Sequence, residues 1–252
     1  MADTPVVVPV VPVADPFEAQ IRSVSQMGSG RGIMLLLYGP SGAGKTSLLA
    51  TLPPARTLVY DVDGGMSVLR SIGWDGRIVE APKDLANLRE FMAYVGTAKH
   101  QYSTVAIDTA SFLERRMVFA FADQRKKELV DIKEYGDAAV KLRSYLVQLR
   151  DLTSRGINVV LIAHETSDIK GREGVLFPFL SAKLAIEVIG WCDLVGRLSV
   201  EPNGARTLAF GADPRTVTKS RYRCVQPVEG MDLVDLFTRI YGEQGREIKK
   251  SK

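Results

Sequence analysis

The sequence predicts an α/β protein with a mostly parallel sheet sandwiched by helices, to which antiparallel strands are added near the C-terminal end. Three observations carry that expectation. Continuous apolar runs of strand length recur at residues 33–38, 57–62, 104–107 and 158–163, the composition of strands buried on both faces. Helically spaced apolar residues fill the segments between them, so strands and helices alternate. The first run leads straight into Gly39-Pro40-Ser41-Gly42-Ala43-Gly44-Lys45-Thr46, a G-x-x-x-x-G-K-T loop between a strand and a helix.

The elements follow in order. A helix over 46–52 is stopped by Pro53 and Pro54. The strand 57–62 reads TLVYDV, Ile78 and Val79 belong to a short third strand, and 84–95 has helical spacing in Leu85, Leu88, Phe91 and Met92. The strand 104–107 ends in Asp108, and a helical region begins at Phe112. After Gly136 a second helix is expected, with Asp137 as N-cap, Val140, Tyr145, Leu149 and Leu152 on its apolar face, and Gly156 as its stop. Beyond the strand 158–163 come a loop with Gly and Phe, a helix at 181–189, and strands near 193–200, 207–210 and 222–225. This arrangement gives a flexible N-terminal arm over 1–30, which includes a short helix at 17–27, a single α/β domain over 31–240, and a basic tail over 241–252.

The glycine loop dictates chemistry. Its backbone amides curl around phosphates, the helix N-terminus adds its positive dipole end, Lys45 reaches the β- and γ-phosphates, and the Thr46 hydroxyl ligates Mg²⁺. A carboxylate must complete the metal shell, and Asp108 stands at the end of a buried strand where one is needed. Hydrolysis also needs a group that orients the attacking water. Asp61 and Asp63 share a strand face, and Asp63, nearer the strand exit, is the preferred base. His164, followed by Glu165, emerges from the strand 158–163 where a group reading the γ-phosphate would sit.

Charge and cysteine content add limits. The 33 basic and 29 acidic residues leave +4, of which two charges fall in the last ten residues, so overall charge is weak evidence for nucleic acid. Cys192 and Cys224 are far apart and form no C-x-x-C, which argues against a zinc or disulfide framework and for a reducing cytoplasm. The run VVVPVVPV at 6–13 lacks a basic leader and is broken by Pro9 and Pro12, the pattern of an extended arm and not of a membrane span. From 214 to 228 no acidic residue occurs, while Arg215, Lys219, Arg221 and Arg223 do. Such cations can protect a sheet edge, or Lys219 and Arg221 can be fingers offered to a neighbouring subunit's γ-phosphate.

The segments LLYGPSGAGKTSLL, LVYDVDGG, STVAIDTASFL, LRDLTSRGINVVLIAHE and TKSR together resemble the RecA-like ATPase core, most closely the phage-encoded RecA-like proteins of single-strand annealing and recombination, over about residues 33–226. The resemblance implies a RecA-like P-loop fold in which the His164 strand lies between the P-loop and Asp108 strands. It also implies ATP and Mg²⁺ as cofactors, Asp63 as catalytic carboxylate where many relatives carry Glu, and His164 as the γ-phosphate sensor. Lys219-Ser220-Arg221 looks like a K-x-R finger acting in trans in a homo-oligomeric ring or filament. Two DNA-binding loops are implied, around 125–136, whose mixed charges also fit a solvated helix, and 166–183, where Lys170, Arg172, Phe177 and Phe179 fit a single-strand platform while Phe177 and Phe179 fit the core equally well.

The expected function is therefore an ATPase acting on single-stranded DNA in phage recombination, annealing or replication, with a single-strand-binding protein as a further partner. An ATP-driven protein that loads or remodels a protein partner is the alternative. Asp61-Val62-Asp63-Gly64 fits the D-x-x-G of a GTP switch, but Thr218-Lys219-Ser220-Arg221 lacks the Asp that reads guanine, and no acceptor pocket or basic lid of a small-molecule kinase can be traced.

Overall fold

The computed structural model describes residues 30–97, 99–167 and 173–244. The N-terminal arm with its 17–27 helix, Lys170, Arg172 and most of the basic tail lie outside the described residues.

Ten strands build the sheet. They are β1 (Met34–Gly39), β2 (Thr57–Asp61), β3 (Arg77–Glu80), β4 (Thr104–Asp108), β5 (Asn158–Thr166), β6 (Phe177–Pro178), β7 (Leu194–Val200), β8 (Arg206–Ala209), β9 (Lys219–Ser220) and β10 (Val228–Glu229). The order is β10-β8-β7-β1-β5-β4-β2-β3, with β6 paired to β5 and β9 to β7. Pairs from β7 through β3 are parallel; β8, β9, β10 and β6 join antiparallel. The α/β class is as expected, and β5 does lie between β1 and β4.

Both faces are covered because successive strand side chains point to opposite sides. Met34, Leu36 and Tyr38 of β1 face α3 (Leu88–Gly96), α4 (Ala110–Gln124), α5 (Ile132–Thr153) and α6 (Ala182–Trp191). Leu35 and Leu37 face α1 (Lys45–Leu48), α2 (Ser67–Ser71) and α7 (Leu233–Glu243). Among the described residues no helix is long and apolar enough to cross a membrane.

Three expectations are corrected. α5 starts at Ile132, not after Gly136: Asp131 is its N-cap, and Glu134 closes a capping box by accepting from the Asp131 N–H. Two satisfied backbone donors outweigh the cost, about 1 kcal/mol, of carrying Gly136 inside the helix. The buried stripe is consequently Ala138, Leu142, Leu146, Leu149 and Leu152, while Val140 is 69% exposed. Residues 222–225 form a turn; the short strands β9 and β10 stand on either side of it. Finally, the sequence reading omitted α7, whose Leu233, Leu236, Phe237 and Ile240 follow the i, i+3, i+4, i+7 rule and bury completely or nearly so behind the Asp232 cap.

Candidate functional site

The strand exits of β1, β5, β4 and β2 form one edge, and the glycine loop, Asp61, Asp63, Asp108 and His164 converge there. β1 ends in Gly39, where a Cβ would stand 2.1 Å from the Leu198 carbonyl oxygen, so the first loop residue must be glycine for β7 to pack alongside. Gly44 closes the loop at φ +94°, a left-handed conformation that hands the chain into α1. Register places Gly39 beside His164 and Asp61 beside Asp108.

Lys45 is buried, and its ammonium donates to the carbonyls of Gly39 (2.9 Å) and Pro40 (2.7 Å). Burial lowers its pKa, against the opposing pull of Asp108, Glu165 and Asp63. The Thr46 hydroxyl donates to Asp108 Oδ2 at 2.7 Å. Asp108 is fully buried, its Oδ1 has no hydrogen-bond partner among the described residues, and burial, reinforced by Asp63 and Asp61, pushes its pKa up to about 7. Such an unsatisfied carboxylate oxygen is expensive in a core and is what a cation-binding position requires.

The two carboxylates of the second strand differ. Asp61 is buried and its Oδ1 accepts from the Gly64 N–H at 2.9 Å, holding the turn after β2, with its pKa raised by burial. Asp63 is exposed, and its Oδ1 accepts from the Gly65 N–H at 3.2 Å. Both Asp63 Oδ1 and Thr46 Oγ1 lie within 4 Å of the Cβ position of Gly65, so Asp63 stands at the mouth of the phosphate loop.

His164 is half-buried. Its backbone N–H donates to Ser111 Oγ (3.0 Å), its ring meets Phe112 edge-on with centroids 5.4 Å apart, and Nε2 has no partner among the described residues. Burial and Lys45 lower its pKa, against Asp63, so the imidazole is neutral at neutral pH. A cavity of about 290 Å³ opens beside it, lined by Ser111, Phe112, Arg115 and Phe179. The next residue, Glu165, accepts from Arg197 of β7 at 3.0 Å, an ion pair that sequence reading did not anticipate because its partners come from separate strands.

Other expected residues fall elsewhere. Lys219 donates to the Ile189 and Gly190 carbonyls at the end of α6, and Arg221 pairs with Asp193 at 2.9 Å. Asp193 Oδ2 also accepts from the Met34 N–H, at the entrance of β1, so both cations sit at the sheet edge opposite the P-loop. Each is engaged within its own subunit, a local role that the finger expectation omitted. Phe177 is 1% exposed and belongs to β6; it is core, not a stacking platform, because pairing with Thr166 turns it inward. The segment 125–136 is a tightly paired turn over 125–131 that runs into the first residues of α5. There Glu134 binds Arg125 (2.6 Å) and Lys127 (3.0 Å), and Arg125 also holds Asp137.

A family model described as an AAA domain matches residues 31–222, so the chain belongs to that family and thereby to the P-loop ATPases. No curated protein matches. Solved structures similar to it include the flagellar accessory protein FlaH from Methanocaldococcus jannaschii, 11% identical over 79% of this chain and 83% of that one, TM-score 0.37. The PH0250 protein from Pyrococcus horikoshii OT3 is 10% identical over 78% and 91%, TM-score 0.43. The P4 protein from bacteriophage phi6, solved in complex with ADP, is 15% identical over 83% and 70%, TM-score 0.37.

Proposed function

We propose that this member of the AAA-domain family binds Mg²⁺-ATP on Gly39–Thr46 and hydrolyses it. The carrying observation is the Thr46–Asp108 hydrogen bond beside the buried ammonium of Lys45, with the second Asp108 oxygen left unpartnered. Among the described residues no cluster of three or more His, Cys, Asp or Glu could hold a metal, so a divalent ion would complete its shell with phosphate oxygens and water. A hydroxyl and a carboxylate are hard oxygen donors and fit Mg²⁺, which would neutralise phosphate charge. Thr46 and Asp108 would hold it.

The chain's own residues supply the rest. Lys45 leaves its carbonyl partners for the β- and γ-phosphates. Asp63, exposed at the loop mouth, orients the attacking water and takes its proton. Neutral His164 offers Nε2 to the terminal phosphate, and Asp61 keeps the turn that presents Asp63.

The polymer proposed to feel this cycle is single-stranded DNA, in phage recombination, annealing or replication. What supports it is that β5 carries His164 directly into the β5–β6 pairing, whose connection contains Lys170 and Arg172 in sequence. Ligand occupancy there and at the phosphates would then be coupled in both directions. The partner-loading alternative is favoured by a different observation, the apolar side chains of Leu129, Ile132 and Val140, which are 82%, 91% and 69% exposed. ATP turnover measured with and without single-stranded DNA separates the two. Stimulation that disappears in a Lys170→Ala/Arg172→Ala variant, with DNA-free turnover retained, is the expected result. Turnover indifferent to DNA, with no salt-sensitive DNA binding in ATP, leaves the partner-loading role.

A further inference from the structure

We propose that Arg206 binds the nucleoside end of the nucleotide, its planar guanidinium lying against the base. The inference rests on the ATP reading above and names a contact that the phosphate loop cannot supply. β7 and β8 form an antiparallel hairpin, with Val200 paired to Arg206, and its connection is fixed by hydrogen bonds from Glu201 N–H to the Ala205 carbonyl and from Gly204 N–H to the Glu201 carbonyl. Because β7 runs parallel to β1, this hairpin turns at the same edge as the P-loop.

The Arg206 side chain reaches across to the loop itself. A Cβ built on Gly44 would lie 3.1 Å from Arg206 Nε and 3.2 Å from its Cδ. Among the described residues the guanidinium has no ion pair or hydrogen bond, and the nearby carboxylate of Glu201 instead accepts from Thr207. An exposed arginine lying against a phosphate-loop glycine, with no acid to hold it, is available to a ligand.

Direction along the loop decides which part of the ligand it meets. Asp108 and His164 stand on β4 and β5, to one side of β1, and they define the terminal-phosphate end. Arg206 stands on the other side, beyond β7. A polyphosphate lying along the loop therefore carries its nucleoside toward Arg206. Guanidinium planes stack on aromatic faces, and the weak hydration of arginine makes that contact favourable at a partly exposed site.

Titration calorimetry on the full chain tests this with ATP, ADP and inorganic tripolyphosphate. Arg206→Ala should weaken ATP and ADP alike by roughly three- to thirtyfold, the range of cation–π contacts, while tripolyphosphate binding stays as in wild type. Arg206→Lys, which keeps the charge but not the plane, should lose as much as the alanine variant. Equal loss of tripolyphosphate affinity, full rescue by lysine, or no loss for any ligand would each overturn the assignment. Failure of the ATP reading itself shows differently, as unchanged binding of all three ligands in Lys45→Ala.

Discussion

Replacing Asp108 by Asn should make the ligand-free protein more stable while crippling its metal-dependent nucleotide binding. The carboxyl is fully buried, and its pKa rises from an ordinary 3.8 to about 7. A raised pKa means that the folded state holds the proton more tightly than the unfolded one. The stability contributed by this proton is present at low pH and is lost as pH climbs from the ordinary value through about 7. At 1.36 kcal/mol for each tenfold in proton affinity, the penalty is on the order of 1–2 kcal/mol at pH 5 and 4 kcal/mol at pH 8. Asn carries no charge in either state, and its amide oxygen can still accept from Thr46. The advantage of Asp108→Asn over wild type should therefore grow by about 3 kcal/mol between pH 5 and pH 8. Urea unfolding in EDTA, without nucleotide, measures it directly, since groups common to both proteins cancel. A stability difference that does not change across that range, or a variant less stable at pH 8, would refute the claim that this carboxylate is strained in wait for a cation. Mg²⁺ and ATP should reverse the order, stabilising wild type far more than the variant.

Further outcomes follow from the same geometry. Lys45→Ala should keep its fold and lose ATP turnover, measured by phosphate release. Asp63→Asn should retain Mg²⁺-ATP binding and slow hydrolysis by roughly 10²- to 10⁴-fold; Asp61→Asn should chiefly loosen the Gly64 turn, and if it alone is the slow variant the two roles are exchanged. Arg221→Ala should cost about 1–3 kcal/mol in urea unfolding, because Asp193 is left buried without its partner. Unchanged stability with collapsed turnover, rescued by mixing with Asp63→Asn subunits, would instead support a finger acting in trans.

Much of this edge was legible in the sequence because its determinants are local. The P-loop, the strand before it and the carboxylate ending β4 are each written within a few consecutive residues, and a buried strand that ends in Asp or His delivers that side chain to the sheet edge by geometry alone. What escaped was set by partners distant in the chain. The burial of Phe177 depends on pairing with Thr166, and Lys219 and Arg221 are held by carbonyls of α6 and by Asp193, the residue before β7. The start of α5 was misread for a different reason. Asp137 is a competent N-cap residue, yet the Asp131–Glu134 box three residues apart carries the larger energy and starts the helix before Gly136.

The energetic arrangement of the edge argues for function more strongly than any one motif. Asp61 and Asp108 lie side by side in register, Asp63 follows within two residues of Asp61, and the fields of Asp61 and Asp63 both act on Asp108. A fold selected only for stability would separate such charges or pair them. Here the nearest ammonium, Lys45, spends its hydrogen bonds on two carbonyls and stays buried at a depressed pKa. Two kinds of frustrated charge are therefore held close together, and neither fully neutralises the other. A polyphosphate with its cation would relieve both at once, giving Lys45 an anion and Asp108 a cation, so the strain in the ligand-free edge becomes binding energy. The Asp108→Asn stability gain and its reversal by Mg²⁺-ATP are two measurements of that one exchange.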